Sequence, residues 1–299
     1  MLSALLQIVV IQMLLPLIFI LMLWMEKDRS KLEWIAKMLA TVMIVLWVFL
    51  TGRWDWVSYY IRYLFILLLL ISLFFSWKRT KPLPLRSKLT RTQKITLGIH
   101  TLLVFVFGFY NVSAFTGYST QQQAMELAFP LKNGTYYVGQ GGGDTQLNYH
   151  HAYESQQFAL DIVKLNKLGI RATGFYPKEL DQYAIYGDTL HSPCDGKVLE
   201  VRSHLSDLIP PESDTEHPEG NYVALSCDGE DSIVYIAHMQ QDSIKVVKGD
   251  RVKELEPLGL VGNSGNTSEP HLHIHAEKDG VGIPIQFDGE FLIRNSLVR

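Results

Sequence analysis

Pro270-His271-Leu272-His273-Ile274-His275-Ala276 alternates apolar residues with histidines. In a β-strand, successive side chains point to opposite faces, so this segment would place three apolar side chains on one face and three imidazoles on the other. The apolar face can pack on a core while the histidine face opens on a groove. An isolated His-x-His pair is more often a solvated polar face. Three histidines in unbroken alternation with apolar residues favour a functional strand.

Other short strands are predicted around this one. Segments 197–202, 221–226 and 232–237 are rich in β-branched or aromatic residues, and glycine-containing turns separate them. Strands of this length and spacing, with little helical periodicity, predict an antiparallel sheet. Segment 206–220 is rich in Pro, Glu, Asp and Ser and predicts a long surface loop. We therefore predict a mainly β domain over residues 118–299, with an antiparallel sheet and an open groove.

Residues 1–117 have a different composition. They contain 13 Lys and Arg against 4 Asp and Glu, whereas residues 118–299 contain 14 against 26. This acidic half disfavours nucleic acid as a partner, because phosphate binding requires clustered basic residues. Four apolar stretches, at about 2–25, 35–51, 59–77 and 95–115, predict a four-helix transmembrane region with the lipid bilayer as partner. The first is no signal peptide, since a basic start and a small-residue cleavage site are missing.

The basic loops predict the orientation, because short loops rich in Lys and Arg stay cytoplasmic. The 78–94 loop carries seven basic residues and no acidic one, and the loop after the first stretch is basic as well. The C-terminal domain of this multi-pass cell-membrane protein is then extracytoplasmic. A transporter is disfavoured, since the apolar cores contain no charge and only His100 and Arg62 lie near their ends.

Metal-ligating residue types also occur ahead of the histidine strand. His150 and His151 precede Asp161, which lies in an apolar run where a carboxylate is costly unless it is paired or bound to metal. A salt bridge or a hydrogen-bonded turn is the alternative explanation. His238 ends the predicted strand at 234–237. Imidazoles and one carboxylate with an open position are typical of catalytic zinc sites, and no His-Glu-x-x-His motif is present.

The two cysteines, Cys194 and Cys227, each precede an Asp-Gly turn. Two cysteines are too few for a disulfide-rich scaffold, and they do not form a Cys-x-x-Cys metal motif. In an oxidising compartment they can pair between neighbouring strands, so a 194–227 disulfide is predicted.

The order of these elements resembles the lysostaphin/LytM-like zinc metallopeptidases, which cut peptide bonds in bacterial cell-wall peptidoglycan. The resemblance covers about residues 149–286 and implies a LytM-like fold. Its most specific elements are Gly262-Asn263-Ser264-Gly265-Asn266 and the Pro-His-Leu-His that begins at residue 270. The other elements are the His…Asp pair and the segments 193–198, 220–223, 235–239 and 249–252.

The resemblance implies the metal ligands. His150, Asp161 and His273 would hold one Zn²⁺ per chain. The family separates its first His and Asp by three residues, whereas ten lie between His150 and Asp161. This spacing suggests an inserted loop and leaves His151 as the alternative ligand, with His150 favoured.

The resemblance also implies two catalytic histidines that do not bind the metal. In a zinc peptidase, the ion polarises the scissile carbonyl and activates a water molecule. His271 would take the proton of that water, and His238 would donate a hydrogen bond to the developing oxyanion. His275 has no role in the family pattern and would only line the groove.

Two hypotheses of function follow. The first is a membrane-anchored zinc metalloendopeptidase, a hydrolase that acts on peptidoglycan peptides. The alternative is a catalytically silent membrane-anchored domain of the same fold, which binds wall peptides or regulates a partner hydrolase. Retention of the whole candidate ligand set disfavours the alternative.

Overall fold

The computed structural model describes residues 6–299, which form two compact units. The first unit is helical and extends to Phe115, without Asp55–Val57. The second comprises Asp55–Val57 and Thr116–Arg299 and contains the β-strands. Residues 55–57 thus lie between two helices in the sequence but belong to the β unit.

Among the described residues, four helices are long and apolar enough to cross a membrane. They are α1 (Gln7–Met25), α2 (Lys31–Thr51), α3 (Ile61–Thr80) and α4 (Arg91–Thr116). Residues 2–5 of the first predicted stretch lie outside the described residues. Helix α2 begins four residues before its predicted apolar stretch because the Ser30 hydroxyl accepts a hydrogen bond from the backbone N–H of Glu33.

The prediction that the apolar cores of the helices lack charge is wrong at Lys37 of α2, whose exposed fraction is only 2%. The Lys37 Nζ lies 2.9 Å from Asp28 Oδ1 and 3.3 Å from Glu26 Oε2. A buried cation needs such partners, because it has lost its hydration. Both carboxylates belong to the segment between α1 and α2. A run of apolar residues identifies a helix but does not show which loop residues pair with it.

The β unit is organised around a nine-stranded antiparallel sheet, as far as the described residues show. The strands of this unit are β1 Met125–Leu127, β2 Thr135–Gln140, β3 Leu160–Leu165, β4 Thr189–His191, β5 Gly196–Arg202, β6 Asn221–Cys227, β7 Ile233–Met239, β8 Arg251–Val252, β9 Pro257–Leu260, β10 Leu272–Lys278, β11 Val281–Ile283, β12 Ile285–Phe287 and β13 Leu297–Val298. The strand order in the sheet is β13-β2-β3-β10-β7-β6-β5-β8, and β11 pairs with β10. Two further pairs, β1 with β12 and β4 with β9, lie outside it. Four apolar N-terminal helices followed by an antiparallel β domain confirm the predicted fold class.

The core of the β unit fixes the register of β10. Leu272, Ile274 and Ala276 are at most 1% exposed and belong to the main apolar cluster, as alternation predicts. Full burial of a Leu or Ile side chain contributes about 1.5–3 kcal/mol. A slip by one residue would move these side chains to the histidine face and turn three imidazoles into the core. The histidine face of β10 is therefore set by its apolar face.

The predicted disulfide is present. Cys194 and Cys227 are bonded with their Cα atoms 5.7 Å apart. Cys227 ends β6 and lies opposite Gly196 of β5, so the bond links neighbouring strands. The long surface loop predicted at 206–220 lies within the irregular segment 203–220, which connects β5 to β6.

Candidate metal centre

Neighbouring strands bring two of the predicted ligands together. In the antiparallel pairing of β3 with β10, Asp161 lies directly opposite His273. Leu160 and Ile162, on either side of Asp161, are in the core, so the Asp161 side chain is on the histidine face. Asp161 Oδ1 is 2.9 Å from His273 Nδ1.

His150 comes from a short helical turn, Tyr149–Ala152, between β2 and β3. Asn148 begins this turn: its side-chain oxygen accepts from the His150 backbone N–H, and its amide donates to Ala159 O at 3.0 Å. The predicted insertion between His150 and Asp161 therefore folds as short turns that are bonded back to the start of β3. The His150 Nε2 lies 3.0 Å from Asp161 Oδ2.

His151 has a different environment. Its Nδ1 is 3.0 Å from Gln157 O, and its ring centroid is 5.7 Å from that of Phe158. Candidate ligand atoms of His150, Asp161 and His273 lie within 4.8 Å of one another. The structure thus places His150, rather than His151, beside the other two predicted ligands.

His238 also lies near His273. Its ring centroid is 5.5 Å from that of His273 and 4.9 Å from that of His271. Alternation along β7 would point His238 to the core with Ile236, but β7 contains an extra residue relative to β6 at this end. In addition, His238 has φ of +58°. This left-handed conformation is uncommon for a residue with a Cβ and costs about 1–3 kcal/mol. The bulge in β7 and the positive φ of His238 together turn the His238 imidazole toward His271 and His273.

Backbone carbonyls determine which ring nitrogen carries the proton in His238 and His271. His238 Nδ1 is 2.8 Å from Ser264 O, and His271 Nδ1 is 2.8 Å from Glu269 O. A carbonyl only accepts, so each Nδ1–H donates and each neutral ring has its lone pair at Nε2. The His271 Nε2 lies 3.4 Å from Asp161 Oδ1. Both rings can accept a proton at Nε2, and His238 can donate from that atom only when it is protonated.

The electrostatics of the cluster favour an anionic Asp161. Burial would raise the pKa of Asp161, but the neighbouring His150 and His271 hold it well below the ordinary value. Burial would lower the pKa of His271, but the charge of Asp161 opposes this, and the pKa of His271 is raised overall. Burial, assisted by the neighbouring imidazoles, holds the pKa of His238 well below the ordinary value. Burial also lowers the pKa of His273. Ionised carboxylates and neutral imidazoles are the forms that bind metal.

The structure gives His275 a contact that sequence reasoning missed. His275 lines a cavity beside the cluster, but its side chain is buried, and its Nδ1 lies 3.1 Å from His273 Nε2. Its ring stacks on Tyr235 at a centroid distance of 4.9 Å. If a metal takes the place of the proton on Nδ1 of His273, the ring carries its proton on Nε2, and this Nε2–H can donate to His275 Nδ1. Metal-binding imidazoles usually donate their second N–H in this way, which fixes their tautomer and orientation. The sequence did contain a signal for this contact, because His273 and His275 are two residues apart and therefore lie on the same face of β10.

A groove runs beside these residues. One part is lined by Tyr149, His150 and His238, with Glu219 and Gln156 at its side. Glu219 and Gln156 also line an adjoining cavity of about 230 Å³, whose walls include Glu200, Glu277 and Tyr222. The histidine face of the sheet therefore opens on a space that extends past the candidate ligands.

The donor set fits zinc. Two imidazoles and one carboxylate converge, and catalytic zinc sites combine three such ligands with an open position. A second convergent group, formed by His238, His271 and His273, adjoins the first through His273. The first group contains a carboxylate that can offset the charge of the ion, whereas the second is made of imidazoles alone.

Comparison with known proteins identifies the domain. Residues 178–284 match the family model of peptidase family M23, which confirms the resemblance to lysostaphin/LytM-like peptidases. The match includes His238, His271 and His273, whereas His150 and Asp161 precede it. No curated protein sequence matches significantly.

Solved structures similar to this chain include three peptidases. A putative peptidase M23 from Pseudomonas aeruginosa is 19% identical and matches over 55% of this chain and 50% of its own, with a TM-score of 0.32. A zinc-containing peptidase from Vibrio cholerae is 20% identical over 42% and 48%, with a TM-score of 0.26. The catalytic domain of lysostaphin from Staphylococcus simulans is 21% identical over 35% and 75%, with a TM-score of 0.22. This chain spans about half the length of the first two.

Proposed function

We propose that this protein, which carries a peptidase family M23 domain at residues 178–284, is a membrane-anchored zinc endopeptidase. The observation that carries the proposal is the convergence of His150, Asp161 and His273 beside His238 and His271, whose Nδ1 atoms are bonded to backbone carbonyls and leave Nε2 as the proton-accepting atom. Ligand types and proton acceptors that meet at a groove are what hydrolysis of a peptide bond requires.

His150, Asp161 and His273 would hold the ion. When bound, zinc supplies Lewis-acid polarisation of a carbonyl and lowers the pKa of water toward about 7. Asp161 contributes the negative charge of the ligand set. With the ion on Nδ1 of His273, His275 would accept the Nε2–H of His273 and so keep Nδ1 aimed at the ligand cluster.

His271 is the proposed acceptor of the water proton. Its Nδ1–H is fixed by Glu269 O, its Nε2 is directed at the cluster, and its pKa is raised above that of a free histidine. A general base is most effective when its pKa lies near the working pH. The captured proton can then pass to the leaving amine.

His238 is the second proposed catalytic histidine. In its neutral form it accepts a hydrogen bond at Nε2, which suits a role in orienting the water molecule or a substrate N–H. Donation to the developing oxyanion, the role implied by the family resemblance, requires that Nε2 first gain a proton. Because burial holds the pKa of His238 well below the ordinary value, we assign it the acceptor role at Nε2.

Peptidoglycan peptides are the proposed substrate class. The support is the family resemblance together with the four apolar helices and the basic loops, which favour a β domain outside the cytoplasm. Wall peptides lie on that side of the membrane. In this proposal, the protein is a multi-pass membrane protein whose C-terminal domain acts extracytoplasmically.

One observation favours the silent-domain alternative. The family match begins after His150 and Asp161, and ten residues separate these two instead of three. A domain that had lost metal binding would also show a changed first motif. Zinc stoichiometry separates the two hypotheses, because a silent binding domain does not require one zinc per chain.

The proposed function can be tested with the full-length protein in detergent and purified peptidoglycan. We expect one zinc per chain and new amino termini on the peptides, both lost with a chelator and restored by zinc. Asp161→Ala should produce no new termini, whereas His151→Ala, a matched change at a neighbouring histidine, should behave as the parent. Stoichiometric zinc without new termini would reject the endopeptidase proposal, and absence of both would favour the silent domain.

A further inference from the structure

The segment Asp55–Val57 contributes to the β unit through Arg171. The backbone N–H of Arg171 donates to Asp55 O at 3.0 Å. The guanidinium of Arg171 lies 3.6 Å from the centroid of the Trp56 ring. That ring also stacks on Tyr176, with centroids 5.4 Å apart and planes 11° from parallel. Trp56 is thus enclosed by side chains of the 171–176 segment.

Arg171 is a buried cation between two buried carboxylates. Its side chain is 1% exposed, and its Nε lies 2.6 Å from Glu269 Oε2 and 3.9 Å from Asp55 Oδ2. Glu269 and Asp55 are themselves no more than 5% exposed. A buried guanidinium without such partners would be strongly unfavourable, so the positions of the three groups depend on one another.

The same residues hold the loop that carries His271. Glu269 O accepts the Nδ1–H of His271, and the Tyr176 hydroxyl donates to Ser268 O at 2.7 Å. The loop that sets the tautomer and direction of the His271 ring is therefore bonded to both Arg171 and Tyr176. Both of these residues also pack on the Trp56 ring.

We propose that Asp55, Trp56, Arg171 and Glu269 form a support that positions the imidazole of His271. The inference rests on the proposed catalytic role of His271 and adds positioning residues to it. Three of the four precede residue 178 and so lie outside the family match. Asp55 and Trp56, which belong to the β unit, thereby take part in the site.

The test uses full-length variants Trp56→Ala, Trp56→Phe, Glu269→Gln and Tyr176→Phe. Zinc content, kcat and KM are measured on each. A further readout, independent of activity, is the rate at which diethyl pyrocarbonate modifies His271, followed by mass spectrometry of the peptide. His191 of β4, whose Nδ1 is hydrogen-bonded to Pro130 O, serves as the internal reference.

We expect Trp56→Ala and Glu269→Gln to retain zinc and KM while kcat falls roughly 10- to 100-fold, since a small displacement of a catalytic group has effects of this size. His271 should be modified several-fold faster in both, with the His191 rate unchanged. Trp56→Phe should recover most of kcat because it restores an aromatic face to Arg171. Tyr176→Phe, which removes one hydroxyl, should show a smaller change in the same direction.

Lys164→Met is the matched control, since it removes a half-buried ion pair with Asp188 elsewhere in the β unit. It should lower stability but leave kcat and His271 modification at parental values. Parental kcat and parental His271 modification in Glu269→Gln and Tyr176→Phe would overturn the proposal, even if Trp56→Ala does not fold. If the parent hydrolyses no peptide, the proposed function fails, and the modification rates still decide whether the support exists.

Discussion

Asp161 and His273 lie directly opposite each other on β3 and β10, with Asp161 Oδ1 2.9 Å from His273 Nδ1. Each is flanked in its own strand by core residues. Their meeting is therefore a consequence of strand register, and a shift by one residue would remove apolar side chains from the core. Strands that pack on the core thus hold both side chains, and a metal site requires ligands on such well-packed elements.

Replacement of a ligand should remove the metal. His273→Ala, Asp161→Ala and His150→Ala each delete one of three protein ligands, so we expect loss of zinc together with activity. Metal analysis of the purified full-length variants checks this. His151→Ala is the control and should keep parental zinc; loss of zinc from it, with retention in His150→Ala, would exchange the roles of the two residues.

Replacement of a catalytic histidine should leave the metal bound. For His271→Ala and His238→Ala we expect parental zinc content and a fall in turnover of roughly 10²–10⁴-fold, the range for loss of a general base or an oxyanion donor. Metal analysis and initial rates on the same samples provide the check. If His271→Ala loses zinc while His273→Ala keeps it, the roles of these two residues on β10 are reversed.

His275→Ala should weaken zinc binding without deleting a ligand. Loss of the acceptor for His273 Nε2–H removes the bond that orients His273, and changes of this kind typically cost about 10- to 100-fold in metal affinity. Competition with a chromophoric chelator measures the affinity. A His275→Ala protein with parental zinc affinity would show that His275 only lines the cavity.

The zinc-free protein should become less stable as the pH falls from 7 to 5. The pKa values of His238, His273 and His275 are lowered, mainly by burial. The unfolded state therefore binds more protons than the folded state below about pH 6.5. Their contribution to the free energy of unfolding is complete above that pH and decreases as the pH falls toward the folded-state values. The raised pKa of His271 acts in the opposite direction, since its contribution is lost as the pH rises through its folded-state value.

Because three lowered pKa values oppose one raised value, the Tm of the zinc-free protein should decrease over this range. Thermal unfolding at several pH values measures it. His275→Gln should show a shallower decrease, since glutamine does not titrate. A Tm that is constant or rises between pH 7 and pH 5 would contradict the assignment of neutral buried imidazoles.

The orientation in the membrane can be tested with a reporter enzyme that is active only outside the cytoplasm. Fused after Arg299, it should be active, because the seven basic residues of the 78–94 loop favour a cytoplasmic position for that loop. The same reporter fused within 78–94 should be inactive. A reversed pattern would place the β domain in the cytoplasm and remove peptidoglycan as a substrate.

Several features were predictable from sequence because they depend on local periodicity. Runs of apolar residues identified the four helices, since length and hydropathy are properties of contiguous segments. The alternation over 271–276 identified both faces of β10, since strand geometry has a period of two. Residue chemistry and order, together with the family resemblance, were enough to name the candidate zinc ligands.

Other features depended on contacts between segments far apart in the chain. His150 and His151 are adjacent, and only the turn bonded by Asn148 places His150 beside Asp161. The direction of His238 follows from a bulge and a left-handed φ, which simple alternation does not predict.

The support of His271 joins Trp56 to Glu269 through Arg171, across more than two hundred residues of sequence. Periodicity is encoded within a segment, whereas these arrangements arise when burial forces separate segments to satisfy each other's charges and hydrogen bonds. That requirement exists only in the folded protein, so the tertiary structure alone determines them.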